Sequence, residues 1–125
     1  MDDSHSAFED LLRVHASVID GIVVLSVSGE LDASTAPWLA DEITRCIAGP
    51  LAGLIVDLSN VNFMASAGMS VLLEGDSTAK IVSKWFGVVA NSRVTTRPIE
   101  LLGLDQILNT YSTLDAARSD IATRT

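Results

Sequence analysis

The sequence predicts an α/β fold in which a mixed sheet of four or five strands is packed with about four helices. Three observations predict it. Short runs rich in Val, Ile and Leu alternate with longer segments whose apolar residues recur at helical spacing. One of the runs, Leu54-Ile55-Val56-Asp57-Leu58, is almost continuously apolar, as a strand covered on both faces must be. The 125 residues, 48% hydrophobic and 19% charged, are too apolar to stay disordered and numerous enough for one core.

In chain order, residues 1–7 are polar and read as a flexible tail ahead of a single domain over residues 8–125. Leu11–Val18 alternates loosely and suits a half-buried strand. Asp20-Gly21 is a turn signal leading into the β-branched run Ile22–Ser28, so these two strands form an antiparallel hairpin. After Gly29-Glu30-Leu31-Asp32 a helix begins. Ser34 or Thr35 can accept from the free N–H groups of its first turn, and Pro37 fits there because it needs no donor. Ala36, Leu39, Ala40, Ile43 and Ile47 mark its buried face, and Gly49-Pro50 stops it.

The strand Leu54–Leu58 follows, then a loop over Ser59–Ala67 and a second helix from about Gly68 to Ile81. Trp85–Ala90 reads as another buried strand and Arg93–Leu102 as a short helix ended by Gly103. Thr110-Tyr111 forms a short edge strand, and Thr113–Ala122 opens with a Ser/Thr cap and forms the last helix. Crossovers in such a sheet are right-handed.

Composition excludes several functions. The net charge of −8 disfavours nucleic acid, because phosphate backbones repel such a surface. All of that charge falls in the first 66 residues, where ten acids face only Arg13 and Arg45. No apolar stretch approaches the ~20 residues a membrane span needs, and no basic segment with an apolar core opens the chain, so a soluble cytoplasmic protein without a membrane partner is expected. Cys46, the only cysteine, reads as a buried inert thiol. Nucleophilic catalysis lacks a base, since His5 falls in the tail and His15 on the outward side of a strand. Two histidines and one cysteine make no zinc site, no glycine-rich phosphate loop is present, and no cofactor is expected. The chain is not read as an enzyme.

Two places could still carry chemistry. Asp57 lies at a strand end, where open α/β sheets place ligands, and could accept a phosphoryl group with Asp32 helping to hold magnesium. A lysine should then follow a later strand, but Ala90-Asn91-Ser92 stands there, so the preferred reading is that Asp57 satisfies backbone donors. The richer stretch is Met64-Ala65-Ser66-Ala67-Gly68-Met69. Ser66 just before a helix is either its N-cap or a phosphorylation switch, because free N–H groups and the positive dipole end would both meet a phosphate there. Met64 and Met69 are either core residues or adaptable contacts, and Gly68 gives the loop room to turn.

Three blocks, VVLSVSGELDASTAPWL (Val23–Leu39), LIVDLSNVNFMASAGMSVLL (Leu54–Leu73) and RPIELLGLDQIL (Arg97–Leu108), resemble successive blocks of STAS domains. Their order and spacing are similar to those of small bacterial anti-sigma factor antagonists from about Val18 to Ala122, and Phe86–Leu104 resembles the actinobacterial members. The resemblance implies a STAS-like fold and a partner-switching protein. Such a protein binds an anti-sigma factor with a GHKL-type kinase fold, frees the sigma factor, and is released when the kinase phosphorylates the loop serine. A PP2C-type phosphatase is the implied counterpart. The family loop usually reads Asp-Ser-(Ser/Thr)-Gly, so the resemblance makes Ser66 the phosphoacceptor and Asp32 the family aspartate beside it. Asp32, Ser34, Met64, Ala65, Ser66, Ala67, Gly68 and Met69 are the expected partner-binding residues, and a monomer or weak homodimer is expected. Two departures stand out: Ala65 replaces the acid and Ala67 the second hydroxyl. Two other readings stay open, a STAS interaction module of another signalling or transport-regulating assembly and a receiver-like domain using Asp57.

Overall fold

The computed structural model describes residues 11–124. The expected tail and His5 lie outside the described residues. The elements are β1 (Leu12–Ile19), β2 (Ile22–Leu31), α1 (Ala36–Ala48), β3 (Gly53–Met64), α2 (Ser66–Ile81), β4 (Trp85–Val89), α3 (Arg93–Leu101), a 3-10 turn (Leu104–Gln106), β5 (Asn109–Tyr111) and α4 (Leu114–Arg124). They form a five-stranded sheet in the order β1-β2-β3-β4-β5. The β1–β2 pair is antiparallel and the remaining pairs are parallel.

The hairpin forms because Asp20 and Gly21 both take positive φ, 53° and 80°. That backbone twist matches the flanking strands and sets Ile19 opposite Ile22. Gly29 is demanded more sharply. Its φ is +103°, and a Cβ there would lie 2.1 Å from the Leu11 carbonyl oxygen. Only glycine admits both.

Two apolar clusters flank the sheet. α1, α2 and α3 cover one face, where Leu25, Val27, Leu39, Ile43, Leu58, Leu72, Phe86 and Ile99 pack. On α1 the buried residues are Ala36, Leu39, Ile43 and Ile47; Ala40 is half-buried at the edge of that stripe. Fully buried Leu39 and Ile43 contribute about 1.5–3 kcal/mol each relative to exposure. α4 covers part of the other face, with Ala117 and Ile121 on Ile22, Val24, Ile55 and Val89. It starts where the sequence places its cap, the Thr113 hydroxyl accepting from the Ala116 N–H at 3.0 Å. Gly103, at φ 71°, follows α3 in the left-handed conformation of a helix stop, and the 3-10 turn after it had no clear signal in the sequence.

β3 differs most from expectation. It runs to Met64 instead of stopping at Leu58, so most of the expected loop is strand. Ser59, Asn60 and Asn62 look like turn residues, yet their segment pairs with β2 through two register shifts. The pairing with β4 stops at Asp57–Val89, so the upper part of β3 is bound on one side only by the ladder. Among the described residues no helix is long and apolar enough to cross a membrane.

Candidate functional site

The candidate site lies where β2 and β3 end side by side, with Leu31 opposite Met64. Each strand then turns into a helix: β2 through Asp32–Thr35 into α1, and β3 through Ala65 into α2. The Ala65 N–H donates to the Leu31 carbonyl at 2.9 Å and ties the two turns together.

Asp32 organises the first turn. Its carboxylate accepts from the Ser34 N–H at 2.9 Å, the Ser34 hydroxyl at 2.7 Å and the Thr35 N–H at 3.1 Å. These bonds hold its pKa below the ordinary carboxylate value, the Ser34 hydroxyl contributing most, followed by the Thr35 N–H. Thr35 takes the N-cap position of α1, as expected, but its side chain accepts no first-turn N–H. Its hydroxyl donates back to the Glu30 carbonyl at 2.8 Å and accepts from the Asp32 N–H at 3.0 Å. Ser34 likewise spends its hydroxyl on Asp32. The carboxylate, which can accept several bonds at once, and the Thr35 hydroxyl together fasten the turn.

In the second turn the N-cap is Ala65, in extended conformation with φ −102° and ψ 174°, and no side chain caps the helix. Ser66 is therefore the first residue of α2 and exposed, rather than its cap. The residue that departs from the family pattern thus occupies the position where an acid would accept first-turn N–H groups. Alanine leaves the positive end of the helix beside the Ser66 hydroxyl without a side-chain acceptor.

Beneath the turn, Met64 and Met69 are each 7% exposed and belong to the core. Gly68 is buried too. Its role is close packing rather than room to turn, since a Cβ there would lie 2.7 Å from the Leu31 Cγ. Of the eight expected contact residues, Asp32, Ser34, Ala65, Ser66 and Ala67 reach the surface, whereas Met64, Gly68 and Met69 support it from below. The sequence reading missed Phe63, which is 48% exposed beside them. Its signal was an aromatic next to the serine loop, masked by the usual expectation that Phe is core.

Asp57 behaves as the preferred reading expects, accepting from the Ser59 N–H at 3.0 Å and the Ser59 hydroxyl at 2.6 Å. It is not at a strand end, however, but at the last position paired to β4. Among the described residues no cluster of His, Cys, Asp and Glu could hold a metal ion. Cys46 is half-buried rather than buried, and desolvation pushes its thiol pKa up, which keeps it protonated.

Residues 13–117 match the STAS domain family. The chain belongs to the STAS family. A curated relative, the anti-sigma-F factor antagonist RsfB of Mycobacterium tuberculosis, is 39% identical over 113 residues, 90% of this chain and 91% of that protein. The crystal structure of an anti-sigma factor antagonist from Mycobacterium paratuberculosis superposes with a TM-score of 0.82 at 38% identity, covering 90% of this STAS chain and 96% of that one. Unphosphorylated SpoIIAA, also an anti-sigma factor antagonist, has a TM-score of 0.75 at 18% identity, covering 89% and 97%, and shares the fold. The mixed five-stranded sheet of this STAS domain is the architecture of that family, and the receiver-like reading of Asp57 gains nothing from these matches.

Proposed function

We propose that this STAS domain is a cytoplasmic anti-sigma factor antagonist, a binding protein rather than an enzyme. It engages its anti-sigma factor through the Asp32–Ser34 turn and the Ala65–Ala67 loop, with Met64, Gly68 and Met69 holding that surface in shape. The observation that carries the reading is the stitching of these two turns at one end of the sheet, with exposed Ser66 at an uncapped helix start. The identity to the M. tuberculosis antagonist over most of both chains supports it.

Ser66 is the switch. A phosphate there adds about −1.5 to −2 charges at the positive end of α2, which the fold tolerates and a partner packed on the loop does not. The anti-sigma factor is itself the GHKL-type kinase, and a PP2C-type phosphatase resets the protein. The test is intact mass after incubation with candidate anti-sigma kinases and Mg-ATP, alongside Ser66→Ala. One phosphate on the wild type that vanishes in Ser66→Ala supports the switch. An unmodified wild type that still binds its kinase refutes it.

A further inference from the structure

The bulge in β3 redirects a side chain that the site described above does not use. Gly29 pairs with Val61, but the next residue of β2, Glu30, pairs with Phe63, so Asn62 is an extra residue in the ladder. Such a bulge moves every later side chain to the opposite face. Val61 and Met64 point into the main core, and Phe63 is turned out onto the opposite face, 48% exposed.

Phe63 is not alone there. Glu30 sits beside it in register, and the Glu30 N–H donates to the Leu11 carbonyl at 2.6 Å on the far side. Leu12 faces the main core, which turns the preceding Leu11 outward with 39% exposure. Leu11, Glu30 and Phe63 therefore form one cross-strand row, apolar–acid–apolar, on the α4 face of the sheet. α4 does not reach it. Its contacts are with Ile22, Val24, Ile55 and Val89, toward the other end of the strands. The next row on that face is polar, Arg13 opposite Ser28. Gly29 permits this close approach of Leu11, since any Cβ there would strike the Leu11 carbonyl.

We propose that the anti-sigma factor contact continues from the Ser66 loop around the edge of the sheet onto this row. Phe63 is the anchor, and the partner presents an apolar pocket bordered by a cationic side chain. This rests on the functional reading above. Two observations choose the occupant. The row adjoins the Asp32 turn and the Ser66 loop directly in sequence and in the sheet, so one continuous partner surface covers both. Its charge complements a cation: Glu30, the acid between the two apolar side chains, takes part in none of the ion pairs among the described residues, as is also true of Asp32, Asp57, Glu74, Glu100 and Asp105. An aromatic anchor with a polar surround is the usual anatomy of an interface hot spot.

The test is titration calorimetry of the full chain against its anti-sigma factor at low and high salt. The variants are Phe63→Ser, Phe63→Leu, Glu30→Gln, Asp32→Ala and Ile81→Ser. Ile81 is 82% exposed at the far end of α2, roughly 22 Å from Ser66 along a 16-residue helix, and controls for loss of exposed apolar surface in general. Phe63→Ser weakens binding at least tenfold with unchanged circular dichroism and melting temperature, and Phe63→Leu recovers most of it. Glu30→Gln weakens binding severalfold at low salt and less at high salt. Ile81→Ser binds as the wild type does. The proposal is overturned if Phe63→Ser and Glu30→Gln bind like the wild type while Asp32→Ala does not, or if Ile81→Ser loses as much as Phe63→Ser. A wild type that binds no anti-sigma factor overturns the functional reading itself, a result distinguishable because no variant is then needed.

Discussion

Replacing Gly68 with alanine sets two simple expectations against each other. Gly68 lies in the first turn of α2, and intrinsic helix propensity alone makes alanine about 0.8–1 kcal/mol more favourable there. Packing argues the opposite. The new Cβ would stand 2.7 Å from the Leu31 Cγ and 2.8 Å from its Cδ2, where carbon atoms prefer about 3.5–4.0 Å. Leu31 is 0% exposed, and its carbonyl holds the Ala65 N–H, so its backbone cannot retreat without loosening the Ser66 loop. Overpacking of this kind costs about 1–3 kcal/mol, which outweighs the propensity gain and leaves a net loss of about 1 kcal/mol. For a domain of this size that lowers the melting temperature by about 4 °C. Thermal and urea unfolding of Gly68→Ala, Leu31→Ala and the double variant measure it. Leu31→Ala alone costs about 2–5 kcal/mol, but in that background the methyl at position 68 fills vacated space and Gly68→Ala becomes stabilising. A Gly68→Ala variant more stable than the wild type would falsify the packing account of this glycine.

Three further expectations follow from the same geometry. Ala65→Asp supplies the missing N-cap of α2 in a backbone conformation that suits one, and should raise stability by about 0.5–2 kcal/mol in urea unfolding; no gain would mean the helix start is already satisfied. Asp32 has a folded pKa below its ordinary 3.8, so its contribution is present above that value and disappears as pH falls through the lower folded value. Carbon-detected NMR should find its midpoint below 3.8, and Asp32→Ala should lack that part of the acid transition. Tyr111 is shifted the other way, to about 12, first by burial and then by its hydrogen bond to Asp120. A raised phenol pKa stabilises the fold below pH 10 and loses that contribution between 10 and about 12. Ultraviolet titration of Tyr111, the only tyrosine, reads this directly, and a midpoint near 10 contradicts it.

The parts of the fold legible in the sequence were those fixed by local pattern. The α1 stripe, the Asp20-Gly21 turn and the Thr113 cap depend on neighbours in the chain, and the structure has them where the residues say. β3 was misread because Ser59, Asn60 and Asn62 favour turns locally, while the ladder with β2 is a long-range partner that no local pattern reveals. The bulge at Asn62 is likewise a property of two strands, so the outward aim of Phe63 could not be seen in either strand alone. At the site, the family resemblance set Asp32 beside the Ser66 loop, and the structure puts the two turns side by side, joined by the Ala65 N–H on the Leu31 carbonyl. The hydroxyl caps expected from the sequence at these two turns are not made. Ser34 spends its hydroxyl on the Asp32 carboxylate, and Thr35 holds the N-cap position of α1 with its hydroxyl on the Glu30 carbonyl. Ala65 takes the cap position of α2 because the backbone, not the hydroxyl, decides where the helix begins. Met64 and Met69 had two readings in the sequence, and burial decides for the core.

The most direct test of the account is displacement: add the purified chain to a complex of its anti-sigma factor with the sigma factor and measure free sigma factor by size-exclusion chromatography. Wild type should release the sigma factor in a dose-dependent way, and Ser66→Asp, folded as the wild type by circular dichroism, should release at least tenfold less at equal concentration. Release by Ser66→Asp equal to that by the wild type would contradict the role given to Ser66, and no release by either would contradict the proposed function.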